Sequence, residues 1–292
     1  GRLFNELDCP IMTISYMEDI LRNPSGYFLP CISPNPVPLT NIFQHGESWQ
    51  WHEFKLTAYH FPGQTLYHSG LLVERESYDL SGNPLKIFFA GDSGSPTGID
   101  DYCPANRTFL GKDMGFRFCV DIWRETRPTH ILNQHQENSF SFSPSDLDKI
   151  DQVLIEREEL LRELLPWENP NFGLDENWVR VYPYEQSALP GSLIAIDIQI
   201  TNHANEPMPV FLEPVCPKEW SFSTDEERSC MVPARTAGII GKFVSNPDFY
   251  QRFWFNIPIT TSPGKYVIPF RLTWNERYLG QFRHAIVDII GN

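Results

Sequence analysis

The chain has 292 residues, 41% of them hydrophobic and 14% aromatic, with a formal net charge of −14. Two domains of about 100–200 residues are the default for this length, and the apolar content suits sizeable cores rather than a disordered chain. The negative charge argues against nucleic acid and anionic membrane as partners, because phosphate recognition needs a basic footprint, and no stretch approaches the ~18 apolar residues of a spanning helix.

Cys9-Pro-Ile-Met-Thr-Ile14 reads as a buried strand, followed by a short helix that stops before Pro24. The prolines between Pro30 and Pro38, with Cys31 among them, make an irregular connection. Trp49–His60, Leu66–Arg75 and Leu85–Ala90 alternate or run apolar and read as strands, the last two joined into a hairpin by the turn Ser81-Gly-Asn-Pro84. Residues 113–126 place Phe116, Cys119, Val120 and Trp123 at helical spacing, and Thr129–Asn133 is the next strand. The clearest helix is 144–165. Ser143 or Ser145 can cap it, Asp146 and Asp148 suit its positive end, and Leu147, Ile150, Leu154, Leu161, Leu164 and Leu165 form its apolar stripe.

Pro166 ends that helix, and 166–173 has the composition of a linker. Beyond it come short strands: Val179–Tyr182, Ser192–Thr201, Val210–Pro214, Ile239–Val244, Phe253–Ile257, Lys265–Trp274 and Phe282–Ile289. Turns at Pro190-Gly191, Asn205-Glu-Pro207 and Ser262-Pro-Gly264 separate several of them, which suggests an immunoglobulin-like antiparallel β-sandwich. The expected organisation is an α+β part over 1–172 and an all-β sandwich over 173–292. Tryptophans 49, 51, 123 and 167 are expected in the core.

None of the six cysteines has C-x-x-C spacing, so a zinc ribbon is not expected. Cys216 and Cys230 flank an acidic insert, and a disulfide between them and a pair of buried thiols are both open readings. Asn106-Arg-Thr108 matches the N-glycosylation pattern, which arises often by chance.

Three segments carry candidate chemistry: Tyr59-His-Phe-Pro-Gly-Gln-Thr-Leu-Tyr-His68, Phe89-Ala-Gly-Asp92-Ser93 and Leu132-Asn-Gln-His135. Each is an apolar run that ends in a potential metal ligand. Strands leading to one rim would deliver one His or Asp apiece, a donor set that suits zinc or another first-row metal. Taken singly, Asp92 is an ordinary turn aspartate and His135 a solvated loop histidine. Asp100 and Asp101, beside Tyr102 and Cys103, read as a solvated acidic loop, and His130 as a core residue.

The ordered set resembles the second half of the metallo-β-lactamase-fold hydrolases, over roughly residues 5 to 170. The resemblance implies part of an αββα sandwich and one or two zinc ions. Asp92 would bridge the metals at the catalytic centre, and His135 would serve the second metal with its other nitrogen held by a partner. The family's H-x-P-G-H-T loop has Gln64 in place of its ligand histidine, so His68, and after it His60, become the replacement ligands. Metal-bound hydroxide would then attack an ester, amide, phosphoester or sulfate-type centre of a small-molecule substrate. The family's H-x-H-x-D-H motif is absent from this sequence. The expectation is therefore that the first half of the catalytic domain lies on another chain or is missing, that this chain alone is inactive, and that its sheet exposes an apolar face. The alternative is a non-catalytic scaffold whose β-sandwich binds a partner.

Overall fold

The computed structural model describes residues 2–27, 35–65, 67–78, 84–98, 115–164, 178–200, 202, 206–225, 227–234 and 249–291. Helix and strand are mixed in the first part, and among the described residues strands alone follow. Helix α1 (Arg2–Leu7) leads to β1 (Met12–Ile14), a 3-10 turn, α2 (Glu18–Arg22) and a second 3-10 turn at Pro24–Gly26. Strand β2 (Asn41–Phe43) pairs with β1 in parallel, Met12 opposite Asn41 and Ile14 opposite Phe43. The buried strand expected at Cys9–Ile14 is thus only three residues long, and Met12 is 44% exposed. A single partner strand gives it too little neighbouring surface to be buried by.

Strands β3 (Ser48–Trp51), β4 (Phe54–His60), β5 (Ser69–Tyr78), β6 (Pro84–Gly91) and β7 (His130–Asn133) form one sheet in that spatial order. All neighbours run antiparallel except β6 and β7. The single strand expected from Trp49 to His60 is instead a hairpin. His52 adopts φ 51°, a left-handed conformation, so the chain reverses with no glycine or proline to announce it. Trp51 sits at this turn and is 56% exposed, unlike the buried Trp123.

Helices α3 (Phe116–Thr126) and α4 (Pro144–Leu164) cover one face of the sheet. Alternation along each strand sends Leu72, Phe88 and Ile131 to that face, where register places them side by side. The expected helical stripes meet them, with Phe116, Cys119, Val120 and Trp123 from α3 and Leu147, Ile150 and Leu154 from α4 buried. Ser143 caps α4: its hydroxyl accepts the Asp146 N–H at 3.3 Å while the Asp146 carboxylate accepts the Ser143 N–H at 3.0 Å.

The all-β part runs β8 (Val179–Tyr182), β9 (Glu185–Ala188), β10 (Leu193–Ile200), β11 (Met208–Pro214), β12 (Ser221–Thr224), β13 (Ser229–Val232), β14 (Phe249–Asn256), β15 (Gly264–Trp274) and β16 (Arg277–Ile289). They form two sheets, ordered β12-β14-β10-β8 and β13-β11-β15-β16-β9. Both contribute to one core: Ile194, Ile196, Ile198 and Ile200 alternate inward from β10, and Phe270, Leu272 and Val287 come from the other sheet. Cys216 and Cys230 are free thiols here, with Cys230 donating to Gln251 at 3.9 Å. The expected strand Ile239–Val244, the linker 166–173, Leu165 and Trp167 lie outside the described residues. So do Cys31, Asp100 to Cys103, and Asn106.

The two parts touch through a small cluster of Ile20 and Tyr27 with Tyr182 packed on it. Tyr184 N–H donates to the Gly26 carbonyl at 2.9 Å, and the Arg180 guanidinium lies 5.1 Å from the Tyr27 ring centre. The Tyr27 hydroxyl donates to Asp19. A side chain at Gly26 would begin 2.8 Å from the Tyr182 ring, so this contact requires glycine.

Candidate functional site

Asp92 stands just past β6, where Gly91 has φ +54° and Ser93 N–H returns to the Ala90 carbonyl at 3.1 Å. This tight turn lifts the Asp92 carboxylate off the strand while leaving its side chain only 10% exposed. Two groups flank it. His135 Nε2 lies 2.9 Å from one carboxylate oxygen, and the Gln64 amide donates to the other at 2.5 Å. Gln64 belongs to the connection after β4, Asp92 to the one after β6 and His135 to the one after β7. Three strand ends therefore converge at one rim, the first delivering Gln64 rather than His68 or His60.

Buried polar groups fix each connection. Asn133, at the end of β7, donates through its amide to the Gly94 carbonyl at 2.5 Å and accepts His135 N–H at 2.7 Å. One side chain thereby ties the Asp92 turn to the His135 loop. Ser93, with no exposed surface, accepts Gln64 N–H at 3.0 Å and shares a hydrogen bond of 2.9 Å with His68 Nδ1. Gly63 allows this approach, since a Cβ there would sit 2.6 Å from that of Ser93. Sequence reasoning missed the roles of Ser93 and Asn133. The signal for Asn133 was its place two residues before His135 at a strand end, where Asn side chains bond their own backbone two residues on.

His68 turns to Ser93 and to the Phe61 carbonyl, 3.2 Å from its Nδ1, while Nε2 faces the Gly91 backbone. Burial lowers its pKa, opposed by the Phe61 hydrogen bond and the Asp92 charge. His60 is fully buried, its ring stacked on Tyr16 with centres 3.8 Å apart, and its backbone N–H donates to His45 Nδ1 at 3.1 Å. His130 is half-buried at the far end of β7, its Nδ1 3.0 Å from the Thr129 hydroxyl. Of the four candidate ligands, the structure thus brings Asp92 and His135 together and turns His68 and His60 to other partners.

Among the described residues no three His, Cys, Asp or Glu side chains are gathered closely enough to hold a metal ion. Zinc takes four ligands in structural sites and three plus water in catalytic ones. One carboxylate, one imidazole and an amide do not fill that shell, so these residues do not fit a zinc ion by themselves. What they form is a polar node: a largely buried carboxylate held from both sides, beside an imidazole 41% exposed to solvent. A groove of about 550 Å³ lies at the opposite end of the sheet, lined in part by Lys55, Glu74 and Lys86, away from this node.

No family model and no curated protein matches this chain. Solved structures show distant likenesses. The metallo-β-lactamase MIM-1 of Novosphingobium pentaromativorans is 13% identical, with a TM-score of 0.39 over 56% of this chain and 66% of that one. The metallo-β-lactamase GOB-18 of Elizabethkingia meningoseptica is 12% identical, with a TM-score of 0.37 over 55% of this chain and 66% of that one. The match thus spans just under two thirds of either enzyme. WR4, a C. elegans member of the MSP family, is 9% identical, with a TM-score of 0.25 over 39% of this chain and 98% of that one.

Proposed function

We propose that this chain carries one part of a metallo-hydrolase-type centre, with Asp92 and His135 as two donors and the remaining donors supplied by polypeptide outside it. The carrying observation is the convergence of three strand-end connections on the Asp92 carboxylate. On this reading residues 1–172 are part of an αββα sandwich and 173–292 an appended immunoglobulin-like domain. The substrate is a small molecule, and the chain by itself is inactive. An incomplete shell binds metal weakly, so titrating zinc into the chain should give weak binding that Asp92→Asn or His135→Ala removes. Tight stoichiometric zinc in the isolated chain, or weak binding equal in all three proteins, would sink the proposal.

A second reading, a non-catalytic scaffold, draws support from Gln64. Its amide satisfies one Asp92 oxygen by hydrogen bonding, as a purely structural carboxylate would require. On that reading zinc binding ignores both substitutions, and Asp92→Asn costs stability without any metal-linked effect.

A further inference from the structure

Alternation along β14 divides its residues between two environments. Gln251, Phe253 and Phe255 point into the sandwich and have no exposed surface, whereas Tyr250, Arg252 and Trp254 stand on the outward face, Tyr250 at 55% exposure. Register sets Gln199, Asp197 and Ala195 of β10 beside these three, and Ser223 of β12 on the other side of Trp254. The indole thus has only small cross-strand neighbours. At the β8 edge the same face is closed by the first part, where Arg180 and Tyr182 pack against Tyr27. Across β14 and β12 it is open among the described residues, with Ser221 and Ser223 exposed.

The polar groups on this face are fixed in place. Asp197 holds Arg252 with both carboxylate oxygens, one 2.7 Å from Nε and the other 2.9 Å from Nη2. The guanidinium then lies 6.0 Å from the ring centre of Tyr250 and 5.6 Å from that of Trp254. Asp225 accepts the Trp254 indole N–H at 3.3 Å. Tyr250 and Trp254 are four residues apart along one strand, about 13 Å, so two aromatic rings bracket a charged, hydrogen-bonding centre in a line.

We propose that this face binds a neutral oligosaccharide, laid along β14 with sugar rings on Tyr250 and Trp254 and hydroxyls on Arg252 and Asp197. The C–H groups on the flat side of a pyranose present the weakly positive edge that the negative face of an aromatic ring attracts. Its hydroxyls can replace the water on the Arg252–Asp197 pair, each donating or accepting as water does. Tyr, Trp and Arg also anchor protein interfaces, but the centres of such interfaces are depleted in charge, and covering this ion pair with apolar protein surface would desolvate it. Nucleic acid strands stack on aromatic platforms too. Here Asp197 and Asp225 outnumber Arg252 and would repel the phosphates.

The site is independent of the metal reading, and its test needs no metal. The full chain is titrated with cellohexaose, xylohexaose, mannohexaose and maltohexaose, followed by calorimetry and tryptophan fluorescence. At least one should bind, with a dissociation constant that rises about tenfold or more in Tyr250→Ala and in Trp254→Ala. Tyr278→Ala should leave it unchanged, since Tyr278 is as exposed but belongs to the other sheet. In the parent chain the bound sugar should shield Tyr250 and Trp254, and not Tyr278, from hydroxyl-radical oxidation, a readout that needs no variant to fold. Silence toward all four sugars at millimolar concentration would overturn the proposal. So would binding that survives both substitutions, a footprint elsewhere, or tighter binding of oligothymidylate than of any sugar. A dimer of the free chain that Trp254→Ala dissociates would give the face to a second copy instead.

Discussion

At the scale of single residues, the rim depends on small buried polar groups more than on the candidate ligands. Asn133 is 6% exposed and satisfies two backbone groups from different loops. Removing its amide strands both, at about 1–3 kcal/mol for each buried unpaired group. Asn133→Ala should therefore lower the denaturation midpoint well beyond the effect of a surface substitution, in a denaturant titration. An unchanged midpoint would mean that water replaces the amide. His68 gives a pH signature. Its folded pKa is lowered from 6.5 by burial, so the unfolded chain binds a proton that the folded chain refuses. Stability is unaffected above about pH 6.5 and falls as pH drops below it. His68→Gln should flatten that slope between pH 7 and 5. His45, lowered by desolvation against the raising charge of Glu125, retains part of it. An identical slope in the variant would show that His68 titrates normally.

At the scale of elements, α3 holds the site turn against the sheet. Trp123 is 1% exposed and packs on Phe61 with ring centres 5.2 Å apart, and a Cβ on Gly94 would lie 2.4 Å from its indole. Trp123→Ala opens a cavity directly under the Asp92 turn and should cost about 3–5 kcal/mol, read from chemical denaturation with loss of near-UV circular dichroism. A loss below about 1 kcal/mol would mean that the turn closes over the gap, as volume-conserving repacking can achieve. Elements with a strong apolar period were legible in advance: α3, α4, β10 and β15 each lie where the pattern put them, within a residue or a few. Three misses in the all-β part share one cause. Strands β9 (Glu-Gln-Ser-Ala), β12 (Ser-Phe-Ser-Thr) and β13 (Ser-Cys-Met-Val) have little apolar alternation, and β9 and β13 are edges of one sheet while β12 is an edge of the other. Their extended form comes from the neighbour they pair with.

At the scale of the whole molecule, the two large cores share no residue, and the parts meet through Tyr27, Tyr182 and their neighbours. The 173–292 core draws on both of its sheets. That segment alone should be soluble with a cooperative melt, because its apolar faces cover each other. Segment 1–172 should bind a hydrophobic dye or aggregate, because Phe89 stands 44% exposed on the sheet face opposite the helices. Calorimetry and dye fluorescence on the two fragments check this. A dye-silent, cooperatively melting 1–172 would remove the basis for an open face.

The sequence by itself determined much of the local grammar: the helices before Pro24, over 113–126 and over 144–165, which apolar strands alternate, and that Gln64, Asp92 and His135 each follow a strand. These are short-range properties, written in periods of two and 3.6 residues and in caps and turns. Only the tertiary structure decided which side chains meet. It placed Gln64 rather than His68 on Asp92, sent His60 into a stack with Tyr16, and made Asn133 and Ser93 the braces of the rim. Register and crossing loops set such pairings across tens of residues. A shift of one residue would turn each strand side chain to the other face, and residue type alone does not carry that information.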